Sequence, residues 1–183
     1  MTCVVGVKQN DKIVFGSDSA ASDSDSIVHM RGPKIFLVSS TGNRKEKMGY
    51  AGDLRPGMLV KATWKFPPKS QSLSIEQYIH YTIPKSLREL FQNNGCLNKN
   101  DDIESVDTDF IFTYNNNIYI MEGNFAIWQT TDEFASIGSG STYALGSLFT
   151  TEKYDLDAKD RVMTALKSAS EYSTSVSAPF HFL

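Results

Sequence analysis

Cysteine is nearly missing from this chain. Cys3 and Cys96 are the only two in 183 residues, too few for a disulfide framework and without the spacing of a metal knuckle. Histidine is as sparse: His29, His80 and His181 lie far apart, so neither a metal nor any other cofactor is expected. No apolar run approaches the roughly 20 residues that a membrane-spanning helix needs, so no membrane association is expected. Basic residues do not outnumber acidic ones, 18 against 21, and no long Lys/Arg block occurs, so a nucleic-acid partner is not expected. The chain also lacks a Gly-x-x-x-x-Gly-Lys-Ser/Thr phosphate loop, which leaves ATP hydrolysis to some other protein. An apolar strand pattern that starts at residue 2 leaves no room for a leader, and with so little cysteine this points to a cytoplasmic, reducing location. No repeat or linker divides the sequence. At 40% hydrophobic and 21% charged it reads as one domain over residues 1–183, long enough to bury a sizeable core.

What is present begins at the first residues. Met1-Thr2-Cys3-Val4-Val5-Gly6-Val7 alternates, with Cys3, Val5 and Val7 on one side and Thr2, Val4 and Gly6 on the other, which predicts a buried strand. Threonine is small enough that an initiator Met before it is normally removable. Removal would put a hydroxyl and an α-amine on one residue. Such an amine titrates at about 7.7–8.0 when unperturbed and can act as a base near neutral pH. A Thr hydroxyl beside it is an activated nucleophile that needs no His. Many chains begin Met-Thr without consequence, so the neighbouring segments decide.

Ile13 to Ala20 predicts a second strand ending in a small-residue acidic turn, and Asn10-Asp11 supplies the hairpin turn between the two. Asp18 then lands beside Thr2. Sixteen residues on, Gly32-Pro33-Lys34-Ile35-Phe36-Leu37-Val38 puts a Lys at the mouth of a third strand, giving one Thr, one Asp and one Lys at adjacent strand ends. Lys34, desolvated but held positive by Asp18, would lower the pKa of the Thr2 hydroxyl and orient it. Taken singly, Asp18 or Lys34 reads better as half of an ordinary surface pair beside an ordinary N-terminus.

Together, Thr2, Asp18 within Gly-Ser-Asp-Ser, and Lys34 have the order and spacing of the proteasome β-subunit and HslV peptidase family, the N-terminal-nucleophile (Ntn) threonine hydrolases. Gly49-Tyr50-Ala51-Gly52-Asp53 resembles the family's Gly-x-Ala-Gly loop, and Ala135 to Ser141 its Gly-Ser-Gly turn. Ala165, Leu166, Ala169 and Phe180-His181-Phe182-Leu183 resemble its closing helix and strand, closer to HslV than to eukaryotic β-subunits. The resemblance covers nearly the whole chain and implies an α+β fold, a four-layer αββα sandwich.

The remaining segments are read from pattern. Ala20 to Arg31, rich in Ser and Asp, reads as an exposed excursion, and Arg44-Lys45-Glu46-Lys47 as charge on a hairpin tip. Asp53 is placed to cap a helix through Trp64, with Pro56 in its first turn and Pro67-Pro68 beyond it. Ser74 and Gln77 open another helix, with an apolar stripe of Ile75, Ile79, Ile83, Leu87, Leu90 and Phe91, kinked or broken at Pro84 and ended by Gly95. Asn98 to Glu104 reads as a polar loop, and Asp107–Tyr114 with Ile118–Glu122 as a hairpin. Short strands at 126–130 and 134–137, helices at 142–149 and 157–170, and a strand over 178–183 complete the order.

The resemblance implies a threonine peptidase subunit of a self-compartmentalising protease. Thr2 would be its nucleophile, Asp18 and Lys34 its electrostatic partners, and the Gly52 N–H its oxyanion donor. Ser139 matches the family serine beside the amine, although it reads equally as a hydroxyl closing a tight glycine turn. Tyr50 falls where relatives line the first specificity pocket, which would favour aromatic or apolar side chains before the cut. The late Asp of proteasome β-subunits has no counterpart; Ser173 takes its place, with Ser177 as a supporting hydroxyl. A homo-oligomeric ring of six or seven subunits, singly or stacked, and an ATP-dependent unfoldase acting in trans are further implications. Two alternatives stand beside this reading: a catalytically silent ring-forming scaffold, and an Ntn amidohydrolase acting on small amides.

Overall fold

The computed structural model describes residues 2–183 apart from 24, 25, 41, 43, 101 and 102, and describes 22, 23, 26, 27 and 100 by backbone alone. Met1, and with it the expected removal of Met1, lies outside the described residues.

The chain opens with the expected hairpin, β1 (Val4–Gln9) and β2 (Lys12–Ser17), joined through Asn10 and Asp11, both at positive φ as a tight twisted turn demands. A small hairpin, β3 (Ala20–Asp23) and β4 (Ser26–His29), follows, and then β5 (Ile35–Ser39) and β6 (Lys45–Gly52). Helices α1 (Leu54–Thr63) and α2 (Ile75–Gln77), a π turn over Tyr78–Thr82, and α3 (Ile83–Asn93) come next. A second small hairpin, β7 (Asn98–Asn100) and β8 (Ile103–Ser105), precedes the long pair β9 (Thr108–Tyr114) and β10 (Asn117–Met121). The chain ends with β11 (Ile127–Trp128), β12 (Phe134–Ile137), α4 (Ser141–Thr151), α5 (Ala158–Tyr172) and β13 (His181–Phe182).

These elements form four layers. One sheet has the order β12-β1-β2-β13 and the other β11-β10-β9-β6-β5, with all pairings antiparallel. Alternation along β1 decides the packing. Cys3, Val5 and Val7 pack with Leu148, Val162, Leu166 and Ala169 under α4 and α5. Val4 turns the other way, into the layer between the sheets with Phe15, Ile35, Ala51, Ile111 and Ile137. The outer face of the second sheet packs Met48, Tyr50, Phe110 and Phe112 against Val60, Tyr78, Leu87 and Phe91 of the opposite helices. Side chains of this size, fully removed from water, each contribute about 1.5–3 kcal/mol. The architecture is therefore the four-layer αββα sandwich.

Several local expectations are corrected. Residues 20–29 pair as a hairpin instead of running as a loop, in register Ala20↔His29 to Asp23↔Ser26, and residues 98–105 pair likewise. Ser and Asp composition signals solvent exposure but does not forbid a two-stranded ladder. Lys45, Glu46 and Lys47 belong to β6 and not to a tip: Glu46 is buried and accepts a hydrogen bond from Thr113 Oγ1 at 2.6 Å. Asp53 sits at the N-cap of α1 without a side-chain cap bond; its main chain is held instead, Asp53 N donating to Asp107 O and Asp53 O accepting from Thr108 Oγ1. Ser74 and Gln77 do form the reciprocal capping box. At Pro84 the helix changes type: the π turn immediately precedes it, where the ring and its missing N–H disturb the ladder. Ile75, counted in the apolar stripe, is largely exposed. The strands expected over 126–130 and 178–183 shorten to two residues each.

Candidate active site

The ends of three strands meet at one edge of the inter-sheet layer. The β1–β2 register Val4↔Ser17 sets Thr2 and Cys3 beside Asp18, and Asp18 N donates to Cys3 O at 3.2 Å. Lys34 reaches this point from the facing sheet, immediately before β5, and not from a strand next to β2 as the sequence spacing suggested. Thr2, Asp18 and Lys34 are all buried, Asp18 and Lys34 to 0% exposure.

Lys34 Nζ lies 2.7 Å from Thr2 Oγ1 and 2.9 Å from Asp18 Oδ1, and also donates to the Ala20 carbonyl. Asp18 is fixed from the main chain as well: Oδ1 accepts from Cys3 N and Oδ2 from Ala20 N, each at 3.0 Å. The β3 strand thus has a part that its polar sequence concealed, since Ala20 contacts both members of the ion pair.

The three oxygens around Lys34 Nζ define what the group can do. An ammonium has three protons to donate, whereas a neutral amine has two and a lone pair. The ionised Asp18 carboxylate and the Ala20 carbonyl can only accept. A charged Lys34 therefore also donates to Thr2 Oγ1, leaving the hydroxyl proton to another acceptor. A neutral Lys34 keeps the first two bonds and turns its lone pair toward that proton. Burial lowers the Lys34 pKa from the usual 10.5, with Asp18 opposing the shift by charge and hydrogen bond. Cys3, the neighbouring thiol, is pushed up to about 12, chiefly by burial, so it stays protonated and faces the helices.

The Gly-Ser-Gly turn closes over Thr2. Thr2 N donates to Ser139 Oγ at 3.1 Å, and Gly140 N donates to Thr2 O at 3.2 Å. Gly138 has φ +92°, and a Cβ there would stand 2.3 Å from Thr2 O, so only glycine allows this approach. Gly52 ends β6 at φ +118° under the same constraint, with Asp107 O 2.2 Å from where a Cβ would be.

A cleft of about 380 Å³ opens at this edge, lined by Thr2, Gly52, Gly138 and Ser139 together with Asp107, Thr108 and Asp109. Tyr50 does not line it. Strand alternation turns Ala51 toward the cleft and sends the Tyr50 ring, 1% exposed, into the helix-facing core beside Phe36 and beneath Gly57. Ser173 and Ser177 are not brought to Thr2. Ser173 caps α5 and its Oγ accepts from Ser175 N, while Ser177 Oγ pairs with His29 Nε2 at 3.0 Å.

Asp107 and Asp109 escaped the sequence reading. The signal was there: period-two spacing puts Asp109 and Ile111 on one face of β9, the inter-sheet one, with Asp107 just before the strand. Asp109 Oδ1 accepts from Gly123 N, and burial, opposed in part by that bond, raises its pKa above the ordinary carboxylate value. Asp107 Oδ2 accepts from Asn98 Nδ2. Among the described residues no group of three His, Cys, Asp or Glu could hold a metal ion, and no helix is long and apolar enough to cross a membrane.

Four layers with a threonine at the head of a central strand are the fold of the N-terminal-nucleophile hydrolases. No protein-family model matches the chain. The ATP-dependent protease subunit HslV of Petrotoga mobilis is 23% identical over 176 residues, covering 93% of this chain and 89% of that protein. The structure of Thiobacillus denitrificans BPH in complex with epoxomicin superposes with a TM-score of 0.80 at 18% identity, over 100% of this chain and 97% of that one. The Anbu complex of Pseudomonas aeruginosa, described as a helical assembly, gives 0.65 at 20% identity over 100% and 80%.

Proposed function

We propose that the chain is a threonine peptidase subunit in which Thr2, freed of Met1, attacks the carbonyl of a peptide bond. The observation that carries this reading is the contact of Thr2 Oγ1 with Lys34 Nζ at 2.7 Å inside a buried, Asp18-compensated cluster. A core lysine is costly unless paired, and the pairing alone would not require a hydroxyl beside it.

In the proposed reaction Oγ1 bonds to the carbonyl carbon as its proton passes to a nearby amine, the Thr2 α-amine or Lys34. The carbonyl electrons move onto oxygen, facing the Gly52 N–H, a donor worth about 2.7–4 kcal/mol in comparable sites. Collapse breaks the C–N bond, and the leaving amine takes the proton back. Water then hydrolyses the Thr2 ester. The Thr2 nitrogen that donates to Ser139 Oγ would become the α-amine once Met1 is removed. We propose a homo-oligomeric ring of six or seven copies with an ATP-dependent unfoldase acting in trans; the helical Anbu assembly supports self-association, and the ATP-dependent HslV subunit supports an ATP-driven partner.

A peptide epoxyketone tests the nucleophile directly. It offers two electrophilic carbons, one suited to the hydroxyl and one to the amine of a single residue. The expected result is one inhibitor added per chain, mapped to an N-terminal Thr2 peptide lacking Met1, with hydrolysis lost in step. A chain that retains Met1 and stays unlabelled belongs to the silent-scaffold reading.

The cleft, and not Tyr50, sets the proposed specificity. With Asp107 and Asp109 lining the same cleft as Thr2, substrates with a Lys or Arg next to the scissile bond are favoured over neutral ones. Asp109→Asn should lower kcat/KM for a basic reporter by roughly tenfold while sparing a neutral one, the size of one partly buried charge pair. The wild-type preference should also fade as the pH falls through the raised Asp109 range. A reporter panel at two pH values decides it; equal losses on both reporters would remove Asp109 from specificity.

A further inference from the structure

The basic stretch at residues 44–47 takes no part in the cleft. Lys47 and Gly52 stand five residue steps apart on β6, about 17 Å along the strand. At that far end a cavity of about 460 Å³ opens, lined by Lys12, Arg44, Lys45 and Lys47 with a single carboxylate, Glu46. A chain of net charge −3 thus lines this cavity with four positive side chains and one carboxylate, with Asp11 at its rim.

The cavity is built and not merely charged. Lys47 crosses from one sheet to the other, donating to the Ile13 carbonyl and, at 3.0 Å, to the Leu183 main-chain oxygen. Two of its three N–H donors are used in this way among the described residues, and the Lys47 side chain lines the cavity. Burial lowers its pKa, in keeping with a half-enclosed position. Glu46 does not neutralise the group: its Oε2 accepts from Thr113 Oγ1, and no salt bridge joins it to the four cations. Hairpin tips are tied together around the mouth, Arg44 Nη1 donating to Asn115 Oδ1 at 3.1 Å and Asn116 Nδ2 to Asp11 Oδ1 at 3.3 Å. Lys12 and Lys45 project from exposed positions, with no acidic group within salt-bridge distance among the described residues.

We propose that this cavity binds a small phosphate-bearing anion. Its volume lies within the roughly 300–1,000 Å³ of small-molecule sites. A polyphosphate offers several acceptor oxygens to converging ammonium and guanidinium groups, whereas a single carboxylate would leave most of them unmatched. The phosphate chain can come free or on a nucleotide, and the chemistry recognised is the same.

Isothermal titration of the intact protein at low ionic strength tests this with inorganic triphosphate, ATP, adenosine and citrate. Saturable binding of triphosphate, one per chain, is expected, with adenosine silent. Tighter binding of ATP than of triphosphate would assign the site to nucleotides, and equal binding to the phosphate chain alone. Lys12→Glu with Lys45→Glu, both exposed, should weaken binding by at least roughly tenfold while leaving peptide hydrolysis and the unfolding midpoint unchanged. The proposal is overturned by no binding at roughly 1 mM triphosphate, by citrate binding as well as triphosphate, or by a double variant that binds normally. Binding of an acidic peptide in place of triphosphate overturns it too.

Discussion

Thr2→Ala abolishes hydrolysis of a peptide reporter in the expected result, with the residual rate at least roughly 10³-fold down, while assembly is unaffected. The substitution removes the one oxygen that Lys34 shares with the proposed substrate and leaves the Thr2 main-chain bonds to Ser139 and Gly140 in place. Lys34 keeps its bonds to Asp18 and Ala20, so one unmet donor, about 1–3 kcal/mol, is the structural loss. Thr2→Ser retains the hydroxyl and should keep measurable turnover. Reporter hydrolysis and native mass spectrometry, run on the same preparations, separate chemistry from assembly. A Thr2→Ala chain as active as the wild type would take Thr2 out of the mechanism. A monomer in the wild type would count against the compartmentalised protease and for an amidohydrolase of small substrates.

How much of this was readable from sequence follows from which interactions are local. Strand alternation at residues 2–7 and the Asn10-Asp11 turn are local, and together they fix Thr2 beside Asp18. Lys34 was found by spacing but assigned to the wrong neighbour, because no pattern within residues 32–38 says which sheet a strand joins. Tyr50 was misplaced for a related reason. Its motif matched, yet a one-residue step along β6 exchanges the cleft for the helix-facing core, and Ala51 holds the cleft position. Asp107 and Asp109 were hidden by being read as the start of a strand and nothing more. The hairpin at 20–29 was hidden by its Ser and Asp content, although the Ala20 carbonyl and N–H serve the site through the backbone, which any residue carries. The three buried interfaces of the sandwich needed tertiary pairing, which periodicity alone does not specify.

Lys34→Met should be the most damaging single change, and its damage has two separable parts. Met fills a similar volume, so packing survives, but Asp18 is left as a buried carboxylate without its cation. Breaking a buried pair on one side costs about 3–5 kcal/mol, and the Cys3 and Ala20 N–H bonds to Asp18 hold the loss toward the lower end. At about 2–4 °C per kcal/mol for a chain of this size, the unfolding midpoint should fall by roughly 6–20 °C. Adding Asp18→Asn removes the orphaned charge and should recover much of that loss. Activity should not recover, because the amine beside Thr2 Oγ1 is gone, a contribution of about 10²–10⁴ in rate. Lys34→Arg divides the question further. A guanidinium keeps the charge but cannot give up a proton in this range. If neutral Lys34 takes the Thr2 proton, the wild-type rate climbs with pH below the usual 10.5 of lysine, since burial has lowered its pKa, and the Arg variant loses that rise. If Lys34 acts only as a fixed cation, both profiles follow the α-amine and differ in height alone. Thermal unfolding with reporter pH profiles on these variants gives each outcome its own signature, and a Lys34→Met chain with wild-type turnover would return Lys34 to a purely structural ion pair.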